Sequence, residues 1–425
     1  MSVTIVSRND ETLVLEVRIP LSTVMLDGEQ RIENVLNEAG AVARGELLKG
    51  FDTDGSPIQS GETKLTSKGL LPKNYQTPYG EIPVVRHLYQ TAQGGSTFCP
   101  LENNARVIQS ATPKLAKTLS HKYAKLSVDE VQPDLSSNPG RHLSRRYIQT
   151  VSELVGTVAQ AKEESWHYKT PVLETPVATV SLGLDGTTIY VRDEGYRETM
   201  VGTIALYDAE GERLHTTYSG AAPEYGKHTF LTRLTREISH VKQLYPEALY
   251  IGIADGAADN WTFLNQHTSQ QVTDFWHVSE YLADAAEALF PGKKQQSKRK
   301  EGLNQRCHEL KNRRGAAQRI LIELKEKAQG KLTPTRQETL RKTITYFSNQ
   351  GIRMDYASHV NAALPIGSGV TEAACKTIVK QRLCQSGMKW RQKGASIILS
   401  LRTLERSNRW EQFWGKISQY GIAYC

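Results

Sequence analysis

The chain is expected to fold as an α/β protein around a mixed sheet. Between residues 177 and 277, five apolar runs of strand length are separated first by turn residues and then by stretches of helical spacing. Beyond Pro291 the pattern turns helical and highly charged to about residue 350. With 425 residues and 39% hydrophobic side chains, the chain has material for two or three domains with substantial cores. The same composition excludes a disordered chain, and five Cys in this length exclude a disulfide scaffold. No apolar run approaches the ~20 residues of a membrane span, and charge precedes any long apolar stretch at the N-terminus. A soluble, reducing, cytoplasmic setting with no membrane contact is therefore expected.

Ahead of the sheet, residues 12–19 alternate as a short strand and 27–49 have helical spacing. Residues 50–80 are rich in Gly, Pro, Thr and Ser and are expected to be loop, followed by a strand at 82–90. Helical spacing returns over 113–124, 128–135 and 144–162, with turn chemistry at 136–140. Helix, short helix, turn, helix fits a helix-turn-helix module. Arg141, Arg145 and Arg146 stand where its last helix begins, placed to meet DNA phosphates or base edges. A plain helical bundle is the alternative reading. Trp166, Pro171 and Pro176 mark a linker into the sheet.

Strands are expected at 177–185, 198–207 and 213–218, joined by short turns into an antiparallel meander. A helix over 230–241 leads to a strand at 249–254, and a helix over 260–267 leads to a strand at 271–277. This is the order of a ribonuclease-H-like sheet, in which the first and fourth strands are neighbours. Asp185 ends the first and Asp255 the fourth, so both carboxylates are expected in one cleft. Facing carboxylates repel, and each loses hydration; divalent cations make such a pair stable. Mg²⁺ prefers hard oxygen ligands, and two such ions about 4 Å apart activate one oxygen and stabilise another at a phosphorus centre. Glu372, opening a helix after Gly367-Ser368-Gly369, is the candidate third ligand. Lys376 and Lys380 follow at successive turns on its face, with Arg382 beyond, and are expected to take phosphates. Each feature also has an ordinary explanation. Asp before Gly is a common turn residue, Glu372 and Lys376 make a common helix pair, and Asp193 and Asp259 are rival acids.

Charge is unevenly spread. Residues 291–425 hold 27 Lys+Arg against 9 Asp+Glu, a balance of +18, while residues 1–290 balance at −10 within a net charge of +8. A basic C-terminal third suits a polyanion, and binding to it should weaken with salt; solvated charged helices are the alternative.

Asp185-Gly186-Thr187, Ala254-Asp255-Gly256-Ala257 and the stretch Ile366 to Lys376 together resemble the transposases of bacterial insertion sequences, specifically the Kra group. Asp274-Phe275-Trp276-His277 is similar to the Asp-x-x-His signature of Mutator-like transposases. The stretches 85–89, 99–102, 386–390 and 409–414 extend the resemblance over most of the chain. It implies a DDE transposase that cuts DNA at insertion-sequence ends and transfers the strand into target DNA. The implied core is ribonuclease-H-like with an all-helical insertion at 283–360, preceded by a largely helical DNA-binding region. Carried onto this chain, it gives an N-terminal α+β region at 1–104, the helix-turn-helix-like region at 105–165, core parts at 166–282 and 361–425, and Asp185, Asp255 and Glu372 as ligands to two Mg²⁺ or Mn²⁺ ions. His277 joins the catalytic set, orienting a catalytic group or touching the scissile phosphate, while Asp274 can equally cap the next helix. Partners implied are double-stranded DNA, as terminal inverted repeats and target, and further copies of the chain on that DNA, at the bacterial nucleoid. Only Cys99 stands where relatives carry a zinc ribbon, so no structural zinc is expected. A nuclease of the same fold without strand transfer and a non-catalytic DNA-binding protein are the alternatives. Trp276, Trp390, Trp410 and Trp414 are read as core residues, with base stacking as the other possibility.

Overall fold

The computed structural model describes residues 2–9, 11–137, 141–163, 165–224 and 227–419. Two units each carry their own contacts: Met1–Tyr168 with Ser400–Cys425, and Lys169–Leu399. Both helices and strands are abundant, and one sheet mixes parallel with antiparallel pairs.

In the first unit, β1 (Val3–Arg8) and β2 (Leu13–Val17) pair antiparallel, and α1 (Met25–Lys49) lays Val35 and Ala39 against Val3. The loop expected at 50–80 is instead largely sheet. Strands β3 (Ile58–Ser60), β4 (Thr63–Thr77), β5 (Gly80–Thr91) and β6 (Gly94–Phe98) pair antiparallel in that order. The residues that looked like breakers are accommodated within β4. Gly69, at φ +98, sits where the register shifts between Ser67 and Leu70, and Pro72 lies in the ladder opposite Val85. Tyr75, Ile82 and Val84 bury against Leu48, Leu101 and Val107.

A short helix α2 (Pro100–Asn104) leads to α3 (Pro113–Lys125), α4 (Val128–Ser137) and α5 (Arg145–Lys162). Their apolar positions Leu115, Leu119, Val131, Ile148, Val151 and Val155 are fully buried. Ser144 caps α5, its hydroxyl accepting the Tyr147 N–H at 3.2 Å. Residues 138–140 of the expected turn lie outside the described residues.

The second unit is built on β7 (Thr179–Val191), β8 (Gly195–Tyr207), β9 (Arg213–Ala221), β10 (Leu249–Ala254) and β11 (Gln270–Thr273), with α6 (His228–Leu244) and α7 (Ala258–His267) as the crossovers. The sheet order is β11-β10-β7-β8-β9; β10 runs parallel to both β7 and β11, and the β7–β8 and β8–β9 pairs are antiparallel. Side chains alternate between faces. On one face Val180, Leu182 and Leu184 meet Phe230, Leu234 and Ile238 of α6 and Leu264 of α7.

The opposite face carries Ile251, Ile253 and Val272 and is covered by helices. The strand expected over 271–277 stops at Thr273, because the Asp274 carboxylate accepts the N–H groups of Trp276 and His277 and so starts α8 (Phe275–Leu289). Then come α9 (Gln296–Asn312), α10 (Ala316–Ala328), α11 (Pro334–Gln350) and α12 (Tyr356–Asn361), whose Leu310, Ile320, Leu340, Phe347 and Tyr356 join the core of that face. The helical segment is thus part of the sheet's own core, not an appendage.

Next, α13 (Gly369–Ala374) runs through a π-helical turn at Cys375–Lys380 into α14 (Gln381–Leu383). The division between units falls inside α15 (Gln392–Arg406), and α16 (Trp410–Gln419) belongs to the first unit. There Trp410 and Trp414 are 7% and 6% exposed, as expected of core residues, and the Arg402 guanidinium donates to the Ala124 carbonyl at 2.6 Å. Trp276, by contrast, is 61% exposed, so it is not core. Among the described residues no helix is long and apolar enough to cross a membrane.

Candidate metal and nucleic-acid site

Asp185 does not end its strand. β7 continues to Val191, but its ladder with β10 stops at the pair Gly183–Ile253. Asp185 and Asp255 each lie two residues beyond that last pair, Asp255 just past the end of β10 at Ala254, and the charge of Asp255 acts on Asp185. By alternation Asp185 lies on the same face of β7 as Gly183, the residue paired with Ile253 of the helix-covered face.

Asp185 is held at both oxygens. Its Oδ1 accepts the Gly186 N–H at 2.7 Å, and its Oδ2 accepts the Cys375 S–H at 3.5 Å. Burial and neighbouring carboxylates push the Cys375 thiol far above its ordinary range, so it remains a protonated donor. Asp255 is fixed from the helical side. Tyr346 of α11 donates to its carbonyl at 2.6 Å, and Gln350 donates to the Gly256 carbonyl at 3.1 Å. Gly256 has φ +124, where any side chain is strained, and a Cβ there would meet the Tyr346 ring at 3.1 Å and the Gln350 amide at 3.3 Å.

Burial raises the carboxyl of Asp185, and the charge of Asp255 raises it further; the Gly186 and Cys375 donors and His277 pull the other way without reversing the shift. A carboxyl raised on folding contributes most to stability below its unfolded value, and that contribution is lost as pH rises through the folded value. At neutral pH the ionised side chain therefore costs stability unless a cation sits beside it. Accordingly, Asp185→Asn is expected to raise the Tm of the metal-free protein at pH 7. Mg²⁺ at ten times its dissociation constant should stabilise wild type by about 1.4 kcal/mol and the variant far less. Calorimetry with and without Mg²⁺ checks this, and equal responses of the two proteins would contradict it.

Glu372 reaches the same region because α13 lies hard against β7. A Cβ on Gly183 would fall 2.0 Å from Thr371 Oγ1, so only glycine admits the helix. Thr371 and Thr203 of β8 then share a hydrogen bond of 2.7 Å. One helical turn after Thr371, Cys375 meets Asp185, two residues after Gly183 on the same strand face. Glu372 itself is half-buried and accepts the Ser368 hydroxyl at 3.2 Å.

Among the described residues, Asp274, His277 and Glu372 each offer a ligand atom within 4.8 Å of the others. Of the expected acids Glu372 belongs to this trio, while Asp185 and Asp255 lie outside it. His277 stands between two carboxylates, its Nδ1 3.1 Å from Glu280 and its Nε2 3.9 Å from Asp274.

The expected phosphate contacts divide. Lys376 and Lys380 are exposed on the turn after Glu372. Arg382 is only 1% exposed, its guanidinium packed 5.3 Å from the Trp390 ring centre, so it is a core residue and not a surface cation. Arg141 is half-buried and donates to the Gln76 side chain at 2.5 Å, which removes it from the surface set as well. Arg145 is exposed but paired with Asp129 at 2.8 Å, and Arg146 is exposed. The rival acids are peripheral: Asp193 is exposed in the β7–β8 turn and Asp259 in the first turn of α7.

Sequence reasoning missed Gly183, Ser368, Thr371, Tyr346 and Cys375. Only the four-residue spacing of Thr371 and Cys375 signalled a shared helix face. The chain matches no protein-family model and no curated protein.

Proposed function

We propose that the chain is a DDE transposase, a metal-dependent enzyme that cuts DNA at the ends of an insertion sequence and joins the freed ends to target DNA. The sheet order β11-β10-β7-β8-β9 supports a ribonuclease-H-like core. One observation carries the reading: Asp185 and Asp255 each follow by two residues the last pair of neighbouring strands β7 and β10, the charge of Asp255 acts on Asp185, and α13, bearing Glu372, is pressed against β7 at Gly183. The donor set suits a hard divalent cation, because it is carboxylate oxygen throughout and because burial, and after it the charge of Asp255, raises the Asp185 carboxyl, a cost that a counter-charge offsets. Asp185, Asp255 and Glu372 would hold two such ions. Mg²⁺ or Mn²⁺, when bound, supplies counter-charge for the attacking and leaving oxygens at phosphorus.

The side chains then divide the work. Lys376 and Lys380 bind phosphates flanking the cut. His277, steadied by Glu280, contacts the scissile phosphate. Arg145, Arg146 and the basic C-terminal third hold the terminal repeats. Water attacks the phosphodiester, the P–O3′ bond breaks, and a 3′ hydroxyl is left at the element's end. That hydroxyl next attacks a target phosphodiester: its oxygen bonds to phosphorus, the target's own P–O3′ bond breaks, and the target 3′ oxygen leaves as a hydroxyl. Two ends joined in one reaction require at least two copies of the chain on the DNA.

The test is direct. The purified protein is mixed with Mg²⁺, a labelled duplex taken from the flanks of its own gene, and a supercoiled plasmid. Joined product is expected. Cleavage without joining would point to a nuclease, binding without cleavage to a DNA-binding protein, and absence of binding would end the DNA reading. Replacing Lys376 and Lys380 together by Ala should weaken binding and flatten the slope of log K against log salt by about 1.8. An unchanged slope in filter-binding titrations would remove these two residues from the interface.

A further inference from the structure

We propose that Asp274 and Ser368 are positioning residues that hold the Glu372 carboxylate in place for a divalent cation. The inference rests on the metal-binding role given to Glu372 above. Asp274 has ligand chemistry and lies near His277 and Glu372, yet its lone pairs are already engaged. Its side chain is fully buried and accepts three backbone N–H groups: Trp276 at 3.3 Å, His277 at 3.4 Å and Ser368 at 2.9 Å. A carboxylate has about four lone-pair sites, so little remains for a cation. What Asp274 does is join two segments 94 positions apart in the chain. Its bond to Ser368 is reinforced one residue along, where the Phe275 N–H donates to the Ile366 carbonyl at 3.0 Å.

Ser368 passes this anchorage to Glu372. Its hydroxyl donates to Glu372 Oε1 at 3.2 Å, while its carbonyl accepts the Glu372 N–H at 2.9 Å and the Thr371 N–H at 2.7 Å. The Ser368 side chain caps no backbone group of α13, so the hydroxyl serves the carboxylate. One carboxylate oxygen is thereby fixed and the other left for a cation. Groups that orient a ligand in this way commonly matter to affinity nearly as much as the ligand.

The test uses the full chain without DNA, with free Mn²⁺ followed by electron paramagnetic resonance, and with thermal unfolding recorded for every variant. Glu372→Gln should lose the tightest Mn²⁺ binding. Ser368→Ala should bind Mn²⁺ about tenfold more weakly. Asp274→Asn turns one acceptor into a donor facing the His277 N–H and should weaken binding in the same sense. Ser368→Thr keeps the hydroxyl and should recover most of the wild-type affinity. If Glu372→Gln loses binding while Ser368→Ala and Asp274→Asn match wild type, the positioning proposal falls and the ligand assignment stands. If Glu372→Gln binds as wild type does, the ligand assignment falls and takes the proposal with it. A Thr variant as weak as the Ala variant would assign the effect to packing and overturn the proposal.

Discussion

Asp185→Asn and Asp255→Asn variants are expected to bind end DNA as tightly as wild type and to cut it at least about 10³-fold more slowly, a loss of about 4 kcal/mol of transition-state stabilisation. Asparagine has the shape of aspartate. At position 185 it can still accept the Gly186 N–H, so the strand and the Cys375 contact have no steric reason to move. It lacks the charge by which the proposed pair would attract a cation. Removing a negative charge near DNA does nothing to weaken binding. Gel shifts and single-turnover cleavage in Mg²⁺ separate the two quantities. Either variant cutting within tenfold of wild type would refute the assignment of the pair. With the stability effect argued above, Asp185→Asn should be both inactive and harder to unfold.

The second large effect is expected at a position with no side chain. Gly183→Val would put carbon 2.0 Å from Thr371 Oγ1 and 3.0 Å from Thr203 Oγ1, where two hydroxyls now bond each other. Either α13 lifts from β7 or the sheet distorts. Overpacking of this kind costs about 1–3 kcal/mol. Cleavage should fall by at least about 10²-fold, because Glu372 moves with its helix. Gly183→Ala meets the same hydroxyl at 2.0 Å, and combining it with Thr371→Ala removes that hydroxyl and should recover part of the loss caused by Gly183→Ala. Denaturant titration of the single and double variants gives the coupling energy, expected within about 0.5–3 kcal/mol. Additive single effects, or a fully active Gly183→Val, would show that the helix is not seated on this glycine.

The sheet was legible in the sequence wherever its side chains met a greasy layer. Residues 177–185, 198–207 and 249–254 read as strands because both of their faces are covered. The long strand Thr63–Thr77 was not legible, because much of it faces solvent and it carries Gly69 and Pro72, which local rules score as breakers. The end of the fifth strand was misjudged because apolar Phe275 and Trp276 prolonged the run; the capping power of Asp274 decided the boundary. That the strands leading to Asp185 and Asp255 are neighbours was legible from the order of strands and helices, which the pairing of β7 with β10 matches. Arg382 and Arg141 were misread because a cation's charge is visible in a sequence but its burial is not. The link from Asp274 to Ser368 spans 94 residues and leaves no local trace.

The wide turn at Cys375–Lys380 has a consequence for how this region can vary. Such a turn holds one residue more than the regular spiral requires. Dropping a residue there would not snap the rod; the turn would close to the regular spiral, and the acid before it and the residues beyond it would keep their facings. The turn is therefore the one place between the acid and the basic side chains beyond it where the chain can shorten without re-aiming them. Single-residue deletions in a regular stretch of helix, which holds no extra residue, are the changes that would turn everything beyond them by about 100° about the axis.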